Sequence, residues 1–217
     1  MTKVKICCIA DMGEARLAIE GGAYALGLVA QMPSGPGVIS DEAITHVADK
    51  IPGSIKSFLL SSRTRVPDLI AHLKATRCNT LQIVDKLTEG SHSELKDALP
   101  DVDIVQVIHV RDEGSIEEAL KLEHEVDALL LDSGAPDGKT KILGGTGKTH
   151  DWTLSRQIVD QARIPVFLAG GLNSQNVEAA IDQVRPYGVD LCSGVRTSGR
   201  LDPFKLEAFF KAVQKAS

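Results

Sequence analysis

Ile164-Pro-Val-Phe-Leu-Ala-Gly-Gly-Leu-Asn-Ser-Gln-Asn-Val-Glu-Ala-Ala-Ile-Asp-Gln-Val-Arg-Pro-Tyr-Gly-Val-Asp-Leu-Cys-Ser-Gly194 decides the fold. Its first run, Ile164 to Leu168, reads as a buried strand ending in Ala169-Gly-Gly171. Ser174 to Val184 reads as a helix, and Gly188 to Cys192 as a second strand ending in Ser193-Gly194. A strand, a helix and a strand in close succession form a parallel unit with a right-handed crossover.

The same unit recurs on either side. The expected strands are Val4 to Ile9, Ala23 to Val29, Ser54 to Leu60, Thr80 to Val84, Asp103 to Val110 and Val126 to Leu131. Between and after them, helices are expected from Met12 to Glu20, Ser40 to Lys50, Val66 to Ala75, His92 to Leu99, Ser115 to Glu123, Thr153 to Gln161 and Pro203 to Lys215. Gly21-Gly22 stops the first helix, Ser40 caps the second, Ser115-Ile-Glu-Glu118 matches a capping box, and Pro203 suits a first turn. Eight units in 217 residues, about 27 each, predict an α/β chain forming a single-domain (β/α)8 TIM barrel over residues 1–217. An open doubly wound sheet would want a glycine fingerprint after the first strand, where Cys7-Cys-Ile-Ala-Asp-Met12 stands instead.

Composition narrows the function classes. At 43% hydrophobic and 24% charged residues the chain can build a full core. A net charge of −5 without a basic block argues against nucleic acid. The start of the chain lacks the pattern of a signal peptide, and no apolar run is long enough to span a membrane, so a cytoplasmic protein with no membrane partner is expected. Cys7, Cys8, Cys78 and Cys192 fit neither a disulfide framework nor a metal-binding spacing, and in a strand Cys7 and Cys8 would face opposite ways. A monomer or a homodimer is expected, with Phe204, Phe209 and Phe210 packing the last helix onto the barrel.

In a barrel, the chemistry lies at the C-terminal ends of the strands. Asp127-Ala-Leu-Leu-Leu-Asp132 delivers a carboxylate to the start of a long glycine-rich loop, a catalytic arrangement more often than a structural one. Within that loop, Gly144, Gly145, Thr146, Gly147 and Lys148 overlap the tail of a nucleotide P-loop. The first glycine of that motif would be Ile142, and no strand precedes it, so a wall or lid beside Asp132 is expected instead. Glycines after both of the last two strands, at Gly170, Gly171 and Gly194 with Ser193, predict a phosphate site.

Six segments together resemble the phosphoribosylanthranilate isomerase family: Lys5-Ile-Cys7, Ala25-Leu-Gly-Leu28, Leu130-Leu-Asp132, Gly144-Gly-Thr-Gly-Lys-Thr-His-Asp-Trp152, Leu168-Ala-Gly-Gly-Leu-Asn173, and Asn176-Val177 through Val184-Arg-Pro-Tyr-Gly-Val-Asp190 to Ser193-Gly-Val195. The resemblance spans the chain and is closest in its C-terminal half. It implies a cofactor-free, metal-free Amadori rearrangement of a small phosphorylated sugar substrate in tryptophan biosynthesis. Cys7 would be the general base and Asp132 the general acid, with Gln82, Gly170, Gly171, Ser193 and Gly194 on substrate or phosphate and Asp190 facing the ribose.

The departures from the family pattern are specific. Cys8 replaces a glycine, Ile83-Val84-Asp85 follows Gln82 where the family has Leu-His-Gly, and Arg196 replaces a glutamate. Pro33-Ser-Gly-Pro-Gly37 lacks the arginine of a Ser-Pro-Arg signature that pairs with the anthranilate carboxylate. Arg63, Arg65 or Arg196 could replace it. Otherwise the chain would be a paralogue acting on a related phosphorylated sugar amine, or a non-catalytic barrel that binds a phosphorylated metabolite. A Schiff-base lysine is disfavoured, since Lys5 and Lys56 fall early in their strands.

Overall fold

A two-residue alternation of side chains sorts each strand between two cores. The computed structural model describes residues 1–133 and 150–216. Its eight parallel strands are β1 (Lys3–Ile6), β2 (Ala25–Val29), β3 (Lys56–Ser61), β4 (Thr80–Ile83), β5 (Asp103–His109), β6 (Ala128–Asp132), β7 (Val166–Leu168) and β8 (Gly188–Leu191). They pair in sequence order, and β8 pairs back on β1, which gives the expected closed barrel. Each is followed by a helix: α1 (Met12–Glu20), α2 (Asp41–Ala48), α3 (Val66–Thr76), α4 (His92–Ala98), α5 (Gly114–Leu122), α6 (Trp152–Gln161), α7 (Val177–Val184) and α8 (Pro203–Lys215).

Ala25, Phe58, Leu60, Val105, Leu130 and Phe167 make the inner cluster. Leu26, Leu59, Ile104, Leu129 and Leu168, their neighbours in sequence, belong to the larger cluster shared with the helices. The inner layer also holds Lys5, which is fully buried. Gly27 makes room for it: a Cβ there would stand 3.2 Å from Lys5 Nζ and 2.7 Å from Cys7 Sγ.

Several boundaries differ from the sequence reading for local reasons. Pairing in β7 starts at Val166, because Pro165 has no N–H to give. The start of α7 moves from Ser174 to Val177, since Asn173 and Asn176 first build a side-chain turn: Asn176 Oδ1 accepts from Asn173 N at 2.8 Å and Asn173 Oδ1 from Gln175 N at 2.8 Å. The capping box on α5 does not form. Ser115 lies inside the helix, accepting from Arg111 N at 3.0 Å, and the N-cap is Glu113. On α8, Phe209 and Phe210 pack inward, but Phe204 is 81% exposed. Five or six residues at 100° each put it on another face.

A 3-10 turn at Ser193–Val195 leads into an unforeseen hairpin, β9 (Arg196–Thr197) and β10 (Arg200–Leu201), before α8. Ser198 and Gly199 both have positive φ, as a tight hairpin turn demands. Among the described residues, no helix is long and apolar enough to cross a membrane.

Candidate active site

The C-terminal strand ends open onto a cavity. Cys7 and Cys8 reach it from the end of β1, Met32, Ser34, Gly35 and Pro36 from the loop after β2, Gln82 from β4 and Asp132 from β6. Gly170, Gly171, Asp190, Cys192 and Ser193 complete the lining. Thus Cys7, Gln82, Asp132, Gly170, Gly171, Asp190 and Ser193, chosen from sequence, come together. Gly194 does not line the cavity. It packs so closely on the loop after β7 that a Cβ would lie 2.0 Å from the Leu172 carbonyl oxygen. Gly144, Gly145, Thr146, Gly147 and Lys148 lie outside the described residues.

Cys7 leaves the barrel in register with β8, donating its N–H to the Leu191 carbonyl at 2.8 Å. The next residue breaks strand geometry, since Cys8 has φ 63°. The expectation that the two side chains face opposite ways therefore fails: both line the same cavity, and the two thiols interact. Gly37 closes over Cys8, and a Cβ on Gly37 would meet Cys8 Cβ at 2.4 Å. Two departures from the family pattern, Cys8 and the Pro33–Gly37 loop, are thus in contact.

Arg196 holds this turn. Its Nη2 donates to the Cys8 carbonyl and, at 3.3 Å, to the Cys7 carbonyl. The same guanidinium pairs with both oxygens of Glu14, at 3.0 and 3.1 Å. Burial pushes the Glu14 carboxyl up, but Arg196 and the N–H groups of Leu201 and Ala10 outweigh it and hold it below its usual range. Arg196 is spent on this clamp. Arg65 pairs with Glu89 at 2.6 Å on the exterior, and Arg63 donates to the Asp68 carbonyl at 3.1 Å. None of the three lines the cavity, and among the described residues no lysine or arginine does.

Asp132 is half-buried. Burial raises its pKa from the ordinary aspartate value, against the Ser133 N–H that it accepts at 2.7 Å, and the nearby Asp190 charge adds to the rise. Asp190 is itself held by Lys5 at 2.8 Å. Burial alone would lower the Lys5 pKa, but the charges of Asp190, Cys7 and Cys8 raise it above the usual lysine value. Gln82 Oε1 is buried and has no hydrogen-bond partner among the described residues. An orphaned acceptor in a cavity wall awaits a donor from a ligand. The amides of Gly170 and Gly171, both at positive φ, make no hydrogen bond among the described residues either. Among those residues, no cluster of side chains could hold a metal ion.

Lys5 and the Glu14–Arg196 clamp were missed in sequence as parts of the site. Lys5 had a signal: two positions before Cys7, it shares the inward face of the strand. Glu14 and Arg196, 182 positions apart, had none.

Relatives carry the same architecture. A sequence model described as "N-(5'phosphoribosyl)anthranilate (PRA) isomerase" matches residues 68–212. The N-(5'-phosphoribosyl)anthranilate isomerase of Moorella thermoacetica is 37% identical over all of this chain and 91% of its own length. The crystal structure of phosphoribosyl anthranilate isomerase from Thermotoga maritima superposes with a TM-score of 0.81 at 29% identity, covering 99% of this chain and 100% of that one. A phosphoribosyl anthranilate isomerase in complex with reduced 1-(o-carboxyphenylamino)-1-deoxyribulose 5-phosphate gives a TM-score of 0.78 at 27% identity, with coverage of 99% and 100%. A barrel with this strand order, matched along its whole length by such relatives, belongs to the N-(5'-phosphoribosyl)anthranilate isomerase family.

Proposed function

We propose that this chain converts N-(5'-phosphoribosyl)anthranilate into 1-(o-carboxyphenylamino)-1-deoxyribulose 5-phosphate, the Amadori step of tryptophan biosynthesis. The observation that carries the reading is that Cys7 and Asp132, from β1 and β6, line one cavity with the glycine turns after β7 and β8. Asp132 gives its proton to the furanose ring oxygen, which keeps the electron pair of the breaking C1–O bond, and the aglycone nitrogen donates its lone pair to C1 to form a protonated imine. Burial that favours the protonated carboxyl suits this role. Cys7 as thiolate then removes the C2 proton. The electrons close a C1–C2 double bond, and the resulting enolamine takes a proton at C1 as its hydroxyl becomes the ketone. Gln82 Oε1 accepts from a sugar hydroxyl, and the free amides of Gly170 and Gly171 suit the phosphate. No step calls on a cofactor.

The test is turnover of phosphoribosylanthranilate, followed as loss of anthranilate-type fluorescence. Cys7→Ala and Asp132→Asn are each expected to remove most of it, by about 10²–10⁴-fold. Turnover no better than background in the parent chain would overturn the reading, and a near-full rate in either variant would remove that residue's role.

A second reading rests on the wall at Met32–Pro36, where no described cation faces the cavity. An unpaired buried carboxylate is costly, so this wall suits a phosphoribosylamine whose aglycone carries none. Comparing kcat/KM for the anthranilate and the aniline glycoside separates the two: a preference for anthranilate supports the first reading, a preference for aniline the second.

A further inference from the structure

Three thiols meet at one wall of the cavity. The β1–β8 register pairs Ile6 with Leu191, so Cys7 and Cys192 emerge side by side. The positive φ at Cys8 takes its side chain out of the strand alternation, and its thiol comes close enough to those of Cys192 and Cys7 to interact with both. All three line the cavity and are free thiols.

The three are not equivalent. Cys192 is half-buried, whereas Cys7 and Cys8 are buried. The hydrogen bond donated by Cys8 lowers the Cys192 pKa, burial opposes this, and the Arg196 guanidinium assists. The same contact, with that to Cys7 and with burial, pushes the Cys8 thiol up. Cys192 is thus the more accessible and more readily ionised thiol and Cys8 its protonated neighbour, the arrangement of an attacking and a resolving cysteine.

We propose that Cys8 and Cys192 form a reversible disulfide when the protein meets hydrogen peroxide, and that this bond switches the site off. The Cys192 thiolate attacks a peroxide oxygen: an S–O bond forms, the O–O bond breaks, and the departing hydroxide takes a proton to become water. The Cys8 thiol then attacks the Cys192 sulfenic sulfur. The S–S bond forms, the S–O bond breaks, and the hydroxyl leaves as water with the Cys8 proton. Two thiols lose two electrons in all, and one peroxide gains them. The bond ties the turn after β1 to the end of β8. It pulls on the backbone of Cys7 and Ser193, which flank its two ends, while Cys7 itself stays reduced.

The test is a peptide map under non-reducing conditions, before and after graded hydrogen peroxide. Expected is a cross-linked peptide containing Cys8 and Cys192, lighter by two hydrogens and split by dithiothreitol. Turnover should fall about tenfold or more in step with the cross-link and return on reduction. Recovery of both residues as free thiols or sulfinic acids, or a disulfide that includes Cys7, overturns the proposal. Cys192→Ser should abolish the reversible part of the loss, measured against that variant's own untreated rate. Should it fail to fold, Cys8→Gly removes the same bond and relieves the positive φ. Reversible loss that persists in a folded variant also overturns the proposal. The map needs no substrate, so it reads the disulfide whether or not phosphoribosylanthranilate is turned over.

Discussion

Asp132 stands where its charge is poorly solvated, and the protein bears that cost at neutral pH. Its pKa is raised by burial. A carboxyl whose folded-state value lies above its unfolded value stabilises the fold when protonated. That contribution is complete below the ordinary aspartate range and is lost as pH rises through the raised value. Asp132→Asn keeps the shape and removes the charge. It is therefore expected to melt higher than the parent at neutral pH, with the gap closing as pH falls through the carboxylate range and both side chains become neutral. Turnover should move the opposite way, as required if a group tuned for chemistry is held at the expense of stability. Thermal denaturation across pH checks the first part, and a variant less stable than the parent at pH 7 contradicts it.

At the scale of elements, the clamp between α1 and the β9–β10 hairpin does for the site what no strand does. Glu14 and Arg196 are both nearly buried, with side chains 4% and 9% exposed, and Glu14 also accepts the Leu201 N–H at 3.0 Å and the Ala10 N–H at 3.1 Å. Removing the cation leaves a buried carboxylate held by amides and by the exposed Arg200, whose Nε is 3.6 Å away. Arg196→Met is expected to cost about 3–5 kcal/mol at neutral pH. The Glu14 pKa is lowered in the parent, so its contribution is present above the usual glutamate value and lost as pH falls through the lowered one. In the variant Glu14 protonates more readily, so the penalty should shrink below about pH 4. Urea denaturation at two pH values reads this directly, and a penalty that does not change with pH counts against the clamp. The eight strands and eight helices were legible in the sequence because each carries a period and an end signal. The hairpin was not: strands of two residues carry no period, and Arg196 finds its meaning only beside a helix near the other end of the chain. Read alone, it looked like a free cation for a substrate carboxylate.

The molecule as a whole is closed by the pairing of its first and last barrel strands, and that seam is where the site and the fold share an ion pair. Lys5 and Asp190 are register partners across it, 185 residues apart, with Nζ and Oδ1 2.8 Å from each other in the inner layer. The sequence placed Asp190 at the cavity. It left Lys5 aside as too early in its strand: the two-residue spacing to Cys7 was readable, but only closure of the barrel brings the lysine opposite its partner. A buried pair adds little net stability over apolar groups of similar size, yet losing one member strands the other. Lys5→Met alone is expected to cost about 3–5 kcal/mol. Lys5→Met with Asp190→Leu should recover at least half of that loss. Turnover should not recover with it. The Lys5 charge interacts with Cys7, and the double variant removes both that charge and the Asp190 carboxylate from the site. A double variant as unstable as the sum of the singles would show that the pair is needed for closure, and a double variant with restored turnover would show that Lys5 does nothing for Cys7. Stability regained without activity is the outcome expected of a seam whose charge is kept for the chemistry above it.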